Sequence, residues 1–166
     1  MSIILVGGGS RSGKSNYALT LARQHGTRLG FLATAQAFDD EMRDRINKHQ
    51  QERGPDFLTI EEPLDLVRVI AEHENKLDVL VVDCLTLWLS NLMFSTPEPS
   101  FEPFLNAAVS TPLELILVTN EVGCGIVPEN ALARRFRDLA GKLNQQAAEH
   151  ATTVYWMIFG VALKIK

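Results

Sequence analysis

A glycine-rich segment near the N-terminus has the residue types and spacing of a phosphate-binding loop. Residues 8–15 read GGSRSGKS and fit the pattern G-x-x-x-x-G-K-[ST]. In such a loop the backbone N–H groups curl around phosphate oxygens, and glycine avoids side chains that would block their approach. Lys14 supplies a mobile positive charge for the β- and γ-phosphates, and the Ser15 hydroxyl is a ligand for Mg²⁺. The candidate nucleotide site comprises Gly8, Gly9, Ser10, Arg11, Ser12, Gly13, Lys14 and Ser15.

The residues on both sides of this loop fit the same interpretation. The apolar, β-branched run at residues 3–6 predicts a buried parallel strand, and residues 15–24 predict a helix whose N-terminus faces the phosphates. The alternative is a glycine-rich turn that matches the pattern by chance. The order of the segments favours a nucleotide site over this alternative, because the loop with Gly-Lys-Ser lies between a strand and a helix.

An acidic residue ends the most strand-like run of the chain. Asp83 follows four apolar residues at 79–82. In P-loop enzymes an acid in this position holds Mg²⁺ directly or through water, which makes Ser15 and Asp83 the candidate metal ligands. The same carboxylate could instead cap the helix that follows the strand.

Length and composition favour one soluble globular domain over residues 1–166. The formal net charge is −4, which does not suggest a nucleic-acid surface. The N-terminus leads into the first predicted strand without a signal-peptide pattern, and no apolar run is long enough to cross a membrane. The two cysteines, Cys84 and Cys124, lack metal-type spacing, so we expect reduced thiols in a cytoplasmic protein.

Strands and helices are predicted to alternate along the chain. Strands are predicted at residues 3–6, 29–33, 56–62, 78–83, 113–121 and 152–160, with a candidate edge strand at 161–166. Helices are predicted at residues 15–24, 39–53, 63–74, 85–94 and 127–150, and a proline-containing loop at 95–103. This order predicts an α/β domain with a mostly parallel sheet flanked by helices.

Ligands of such sheets bind at the carboxyl ends of the strands. The phosphate loop, residues 33–35, Asp83 and residues 119–121 all fall at those ends. We therefore expect these segments to meet at one edge of the sheet.

Several longer segments, in the same order nearly from end to end, resemble one enzyme family. They are GGGSRSGKS, ATAQAFDDEM, RINKHQQER, VDCLTLWLSNL, TNEVGCGIVPENALARRFRDLAGKLNQ and the closing LKIK. The family is the bifunctional adenosylcobinamide kinase and adenosylcobinamide-phosphate guanylyltransferase of cobalamin biosynthesis. The block at residues 119–144 is far more distinctive than the phosphate loop alone.

The resemblance implies a RecA-like P-loop fold and two reactions in one active site. The first reaction phosphorylates the terminal hydroxyl of the aminopropanol arm of adenosylcobinamide, with ATP or GTP as donor. The second transfers GMP from GTP to that phosphate through a GMP–histidine intermediate, which gives adenosylcobinamide-GDP and pyrophosphate. The chain is then expected to use GTP, ATP and Mg²⁺, to bind adenosylcobinamide and its phosphate, and to assemble as a homotrimer.

The resemblance assigns the nucleophile of the second reaction to His49. The family pattern is Arg-Ile, two residues, His and a basic residue four positions later, and Arg45, Ile46, His49 and Arg53 match it. A neutral imidazole is a competent nucleophile toward phosphorus, and residues spaced by four share one face of a helix. Two guanidinium groups beside it could hold phosphate oxygens. From the residues alone, a solvated helix face is the simpler interpretation.

The other histidines are His25, His73 and His150. Each lies late in a predicted helix, where a structural or solvated role is expected.

The resemblance also implies nucleotide contacts beyond the phosphate loop. The matching positions are Ala33, Thr34, Ala35, Gln50, Gln51, Glu52, Arg53, Glu61 and Asp83. A carboxylate at Glu61 suits the N1–H and N2–H₂ donors of guanine, although an exposed acid at a strand end is the alternative. Glu121, together with Gly123 and Gly125, suggests a loop near the substrate. The alternative is that these residues only form a turn before the long helix.

Two rival functions remain: a kinase-only enzyme in which His49 has no role, and a non-catalytic, nucleotide-dependent regulatory protein. Gln50 stands where the family commonly has a basic residue, and the connector at 95–111 is short for the family.

For the trimer contact, the helix at 85–94 and its connector are candidates, since exposed aromatics such as Trp88, Phe94 and Phe101 favour interfaces. Burial of Trp88 and Phe94 in the core is the alternative.

Overall fold

The computed structural model of the protein describes residues 2–36 and 54–166. The helix predicted at 39–53 lies outside the described residues. So do the site predictions for Arg45, His49, Gln50, Gln51, Glu52 and Arg53.

The described residues form alternating strands and helices, with boundaries close to the predicted ones. The strands are β1 (Ile3–Gly8), β2 (Leu29–Ala33), β3 (Phe57–Glu61), β4 (Val79–Asp83), β5 (Glu114–Val118), β6 (Thr153–Ile158) and β7 (Val161–Lys164). The helices are α1 (Lys14–His25), α2 (Leu66–His73), α3 (Leu85–Ser95), α4 (Glu102–Ser110) and α5 (Ala131–His150).

The strands form one seven-stranded sheet in the order β3-β2-β4-β5-β1-β6-β7. Neighbouring strands are parallel except β6 and β7, which pair antiparallel through a hairpin. The prediction of a mostly parallel sheet flanked by helices is confirmed, and β7 is the predicted edge strand. Because the first six strands run in one direction, their carboxyl ends meet at one edge, which we call the carboxyl edge.

Apolar side chains cover both faces of the sheet. Along β1, Ile3 and Leu5 belong to the cluster beneath α2 to α5, whereas Ile4 and Val6 belong to the cluster beneath α1. Successive residues of a strand point to opposite faces, so a strand buried on both faces reads as a continuous apolar run. This is why residues 3–6 were recognisable from the sequence.

Helix α4 was not predicted. The sequence indicated a loop through 103, yet the helix begins at Glu102 with Pro103 in its first turn, a position that tolerates proline. The rings of Phe101 and Phe104 lie 6.2 and 4.9 Å from the ring of Trp88. These aromatic contacts fix the connector against α3.

The same contacts correct the predicted trimer surface. Trp88 and Phe101 are only 3% and 4% exposed, so both belong to the core, whereas Phe94 is 80% exposed. The alternative of burial was therefore right for Trp88 and wrong for Phe94.

Two helices begin later than predicted because a side chain caps them. The Asp65 carboxylate accepts a hydrogen bond from Arg68 N (3.0 Å), so α2 starts at Leu66 instead of 63. The Asn130 side chain accepts from the backbone N–H groups of Leu132 and Ala133, so α5 starts at Ala131 instead of 127. In both cases the helix begins directly after its capping residue and not near the upstream proline, from which the start of the helix was predicted.

None of the described helices has the length and apolar character that a membrane span requires.

Candidate nucleotide site

Two glycines of the phosphate loop occupy positions that disfavour any side chain, Gly8 because of a close contact and Gly13 because of its positive φ. Gly8 has φ 150°, and a Cβ there would lie 2.7 Å from Met157 O. Gly13 has φ 91°, and a Cβ there would lie 3.4 Å from Gly160 Cα. The loop is thus seated directly on the end of β6 and the turn that follows. The close approach of Met157 O explains glycine at position 8, and the left-handed φ explains glycine at position 13.

Lys14 is held inside the loop and is only 7% exposed. Its Nζ donates hydrogen bonds to Gly9 O (2.5 Å) and to Ser12 Oγ (3.4 Å). Burial lowers the pKa of Lys14, and the nearby charge of Asp83 acts in the opposite direction. The ammonium group is therefore paired with loop oxygens at the place where phosphate oxygens would bind.

The N-terminus of α1 opens into the loop. Gly13 is its N-cap residue, and no side chain among the described residues caps the helix. The Tyr17 N–H donates to Gly13 O (3.0 Å), and the N–H groups before it have no acceptor within the helix, as at any helix N-terminus. Such a helix end, with its partial positive charge, binds anions.

Asp83 lies at the carboxyl edge, with the segment of Thr34 beside it. The carbonyl oxygen of Asp83 accepts a hydrogen bond from Thr34 N (3.1 Å). The Thr34 hydroxyl donates to Cys84 O (2.8 Å) and accepts from Cys84 N (2.9 Å). These contacts join the ends of β2 and β4, so residues 33–35 and Asp83 meet as predicted.

Ser15 and Asp83 are the predicted Mg²⁺ ligands. Ser15 lies in the first turn of α1 and Asp83 ends β4, and the charge of Asp83 acts on the neighbouring Lys14. Among the described residues no three His, Cys, Asp or Glu side chains cluster as a metal site. Mg²⁺ prefers oxygen ligands and takes one or two from the protein, with water and phosphate completing its shell. A hydroxyl and a carboxylate fit that requirement.

A buried asparagine that the sequence interpretation missed ties three elements together. Asn91 Nδ2 donates to Thr34 O (2.8 Å) and to Pro63 O (3.0 Å). The side chain belongs to α3 and thereby positions the segments that follow β2 and β3. The available signal was a lone amide within the apolar run LTLWLSNLMF.

A second missed network positions the segment after β5. The Thr119 hydroxyl donates to Asn144 Oδ1 (2.6 Å), and Asn144 Nδ2 donates to Asn120 O (3.2 Å). The backbone of Glu121 continues this segment and donates to Gly8 O (3.1 Å). Residues 119–121 therefore border the phosphate loop, as the sequence predicted.

A cavity of about 260 Å³ opens beside this segment, between β1, β6 and α5. Its lining includes Gly7, Thr119, Glu121, Asn144, Gln145 and Trp156. Glu121 thus lies on the wall of a cavity that adjoins the start of the phosphate loop.

Among the predicted contacts that the structure describes, Glu61 lies furthest from the loop in the order of the strands. It ends β3, the outer strand of the sheet, and is exposed. In the register of the sheet Ala33 pairs with both Glu61 and Asp83, so residues 33–35 separate the two acids.

Three of the four histidines in the sequence are described, and all three end helices. His25 Nδ1 lies 2.6 Å from Glu114 Oε1, where β5 begins. His73 Nδ1 lies 2.8 Å from Val69 O, and His150 is exposed. Because each helix returns to the start of the next strand, these histidines lie at the edge opposite the phosphate loop. Their predicted placement at helix ends is confirmed.

Solved structures with a similar fold include the flagellar accessory protein FlaH of Methanocaldococcus jannaschii, with a TM-score of 0.54 and 16% identity over 99% of this chain and 78% of that one. The RadB recombinase has a TM-score of 0.52 and 14% identity over 93% of this chain and 73% of that one. At these identities the likeness shows the fold alone.

Curated relatives match at much higher identity. The bifunctional adenosylcobalamin biosynthesis protein CobU of Escherichia coli K12 is 39% identical, over 99% of each chain. The bifunctional adenosylcobalamin biosynthesis protein CobP of Pseudomonas aeruginosa is 40% identical, over 98% of this chain and 96% of the relative. The family model described as cobinamide kinase / cobinamide phosphate guanyltransferase matches residues 4–165. The chain therefore belongs to the cobinamide kinase / cobinamide phosphate guanyltransferase family.

Proposed function

We propose that a single nucleotide site, built on the loop of residues 8–15, serves both activities of this family. The family is one of cobinamide kinases and cobinamide phosphate guanyltransferases, so the chain is an enzyme of adenosylcobalamin biosynthesis. The observation that carries the proposal is the position of Lys14, which is buried in the loop and lies within the field of Asp83.

In the kinase step the loop holds the triphosphate of ATP or GTP. Lys14 Nζ exchanges its contacts with Gly9 O and Ser12 Oγ for phosphate oxygens, and the N-terminus of α1 binds the same anion. The hydroxyl of adenosylcobinamide attacks the γ-phosphorus, and the bond to the β-phosphate oxygen breaks. Ser15 and Asp83 would hold Mg²⁺, which offsets phosphate charge when bound. Phosphoryl transfer needs positioning and charge stabilisation, which these residues supply.

In the guanylyl step His49 is the proposed nucleophile. Its ring nitrogen forms a bond to the α-phosphorus of GTP, and pyrophosphate leaves. A phosphate oxygen of adenosylcobinamide phosphate then attacks the same phosphorus and releases His49, which gives adenosylcobinamide-GDP. Arg45 and Arg53 would hold the phosphate oxygens of the bound GMP. The remoteness of the three described histidines from the loop supports His49, the remaining histidine of the sequence.

Guanine selection is assigned to the outer part of the carboxyl edge. Glu61, which is exposed at the end of β3, offers a carboxylate to the N1–H and N2–H₂ groups of guanine. Residues 33–35 and 50–53 are proposed to line the same nucleotide.

We also propose that the enzyme is a cytoplasmic homotrimer. The described structure has two free cysteines, Cys84 and Cys124, which fits a reducing compartment. Val161 and Leu163 on β7, and Ile165 just after it, are all more than half exposed. An edge strand with an uncovered apolar face suits a contact between copies. This surface replaces the one predicted around Trp88.

The test is a reaction of the protein with GTP, Mg²⁺ and adenosylcobinamide, with products identified by mass. The proposed function predicts adenosylcobinamide phosphate first, then adenosylcobinamide-GDP and pyrophosphate. Accumulation of the phosphate without any GDP derivative would support a kinase-only enzyme. Nucleotide binding with neither product would support a regulatory protein.

A further inference from the structure

The hairpin between β6 and β7 carries a residue that its turn geometry does not favour. Ile158 pairs with Val161, so Phe159 and Gly160 form a two-residue turn with φ of 52° and 82°. Two consecutive positive φ values define a type I′ turn, for which asparagine followed by glycine is the usual choice. Phe159 instead places a large side chain at a position whose backbone is in the left-handed region, and this residue is 98% exposed. Violations of local rules concentrate at functional sites.

This turn is attached to the phosphate loop. Gly160 N donates a hydrogen bond to Ser12 O (3.2 Å), and Gly8 pairs with Met157 in the register of β1 and β6. A Cβ on Gly13 would lie 3.4 Å from Gly160 Cα. Phe159 is therefore held at a fixed position, one residue from a direct backbone contact with the loop.

When the phosphates of a nucleotide fill the loop, the base of that nucleotide must extend away from the loop. The base then needs a nearby protein surface that can contact its aromatic rings. A purine base exposes a flat π-face, and a phenylalanine ring is a favourable partner for it. An exposed aromatic ring that is anchored beside a phosphate site has the chemistry this base requires.

We propose that the ring of Phe159 is the stacking platform for the purine base of the nucleoside triphosphate whose γ-phosphate lies in the loop. The inference rests on the proposed function of the loop as a triphosphate site. It concerns the kinase step, in which the base lies at the β6–β7 hairpin, on the other side of β1 from Glu61, the residue proposed to select guanine in the guanylyl step.

Stacking has a consequence for donor choice in the kinase step. Every purine presents a π-face, so stacking on Phe159 holds adenine and guanine alike. Hydrogen bonds to the base edge, as proposed for Glu61, select guanine instead. The hairpin therefore accounts for a kinase site that accepts either ATP or GTP.

The test compares binding of ATP and of inorganic tripolyphosphate to the folded protein by calorimetry. Phe159→Asn removes the ring but keeps the turn, because asparagine tolerates positive φ. We expect about tenfold weaker ATP and GTP binding, within the range for loss of one base–aromatic stack, and unchanged tripolyphosphate binding. Phe159→Tyr should bind ATP like the parent protein. The matched control is Phe94→Asn, which removes the other strongly exposed phenylalanine of the described residues and should change neither ligand.

Three outcomes would overturn the inference. Equal ATP affinity in the parent and Phe159→Asn proteins would show that the ring does not contact the base. Parallel loss of ATP and tripolyphosphate binding would show that the turn only supports the loop. A fall in mass by light scattering together with the loss of ATP affinity would assign Phe159 to a contact between copies. Failure of the parent protein to bind tripolyphosphate would instead contradict the loop's own proposed function.

Discussion

At the scale of single residues, the phosphate loop shows how local geometry prepares a charge for a ligand. Lys14 is buried, yet its ammonium group faces Gly9 O and Ser12 Oγ and lies within the field of Asp83. A buried cation is costly unless it is paired, so these oxygens keep it in place without a nucleotide. A triphosphate offers stronger, fully charged partners to the same group.

Lys14→Ala should reduce both the kinase and the guanylyltransferase rates by about 100-fold or more, since removal of one charge-stabilising donor has effects of this size. Product formation in each half-reaction is the measurement. Lys76→Ala is the control, because Lys76 is exposed and precedes β4 at the opposite edge of the sheet. Normal turnover of either reaction in a folded Lys14→Ala protein would exclude a shared loop.

The two cysteines should differ sharply in reactivity. Burial raises the pKa of Cys84 to about 11, so the thiol remains protonated at pH 8, whereas Cys124 is exposed. Because the thiolate is the reactive form, a thiol reagent should label Cys124 rapidly and Cys84 only after unfolding. Peptide mapping of the labelled native protein checks this expectation. Fast labelling of Cys84 in a Cys124→Ser protein would contradict the burial described here.

At the scale of secondary-structure elements, polar side chains position the ends of the strands. Asn91 on α3 holds the carbonyl groups of Thr34 and Pro63, and Asn144 on α5 holds the segment of Thr119 and Asn120. The candidate site is therefore shaped by two helices that carry none of the predicted catalytic residues.

Asn91→Ala should lower the free energy of unfolding by about 1–3 kcal/mol, because two buried carbonyl groups lose their donor. Urea unfolding followed by fluorescence measures the change. Asn106→Ala, at an exposed position of α4, should have little effect. If the two variants unfold at the same urea concentration, Asn91 does not hold the strand ends together.

The elements that could be predicted from the sequence are those whose signal is local. Strands β1 and β4 are continuous apolar runs, and the phosphate loop is a contiguous pattern, so each was recognisable without its neighbours. Helix α4 was missed because its stability depends on packing against Trp88. The partners Thr34 and Asn91 are 57 residues apart in sequence, and no spacing rule brings them together.

At the scale of the whole molecule, the sheet order places the phosphate loop in the interior of the sheet and β7 at one of its edges. The phosphate loop and Asp83 lie in the inner part of the sheet, and β7 forms one outer edge with an uncovered apolar face. A contact through β7 would bring copies together beside the hairpin that supports the loop.

Leu163→Lys should shift the mass measured by light scattering from a trimer toward a monomer, because an unpaired charge in an apolar contact is strongly unfavourable. Lys164→Ala, on the other face of the same strand, should leave the mass unchanged. A parent protein that is already monomeric at micromolar concentration would exclude the homotrimer. A trimer that persists in Leu163→Lys would place the contact elsewhere.

The most direct test of the two-reaction mechanism is the covalent label left by α-labelled GTP on denatured protein. The parent protein should retain label that is lost in acid and stable in alkali, as expected for a phosphorus–nitrogen bond. His49→Ala should retain none and lose guanylyl transfer, whereas its kinase activity should largely survive, since that step needs no covalent intermediate. His150→Ala, which changes an exposed histidine at the opposite edge, should label like the parent. An acid-labile adduct on His49→Ala would contradict the mechanism and assign the nucleophile to another residue.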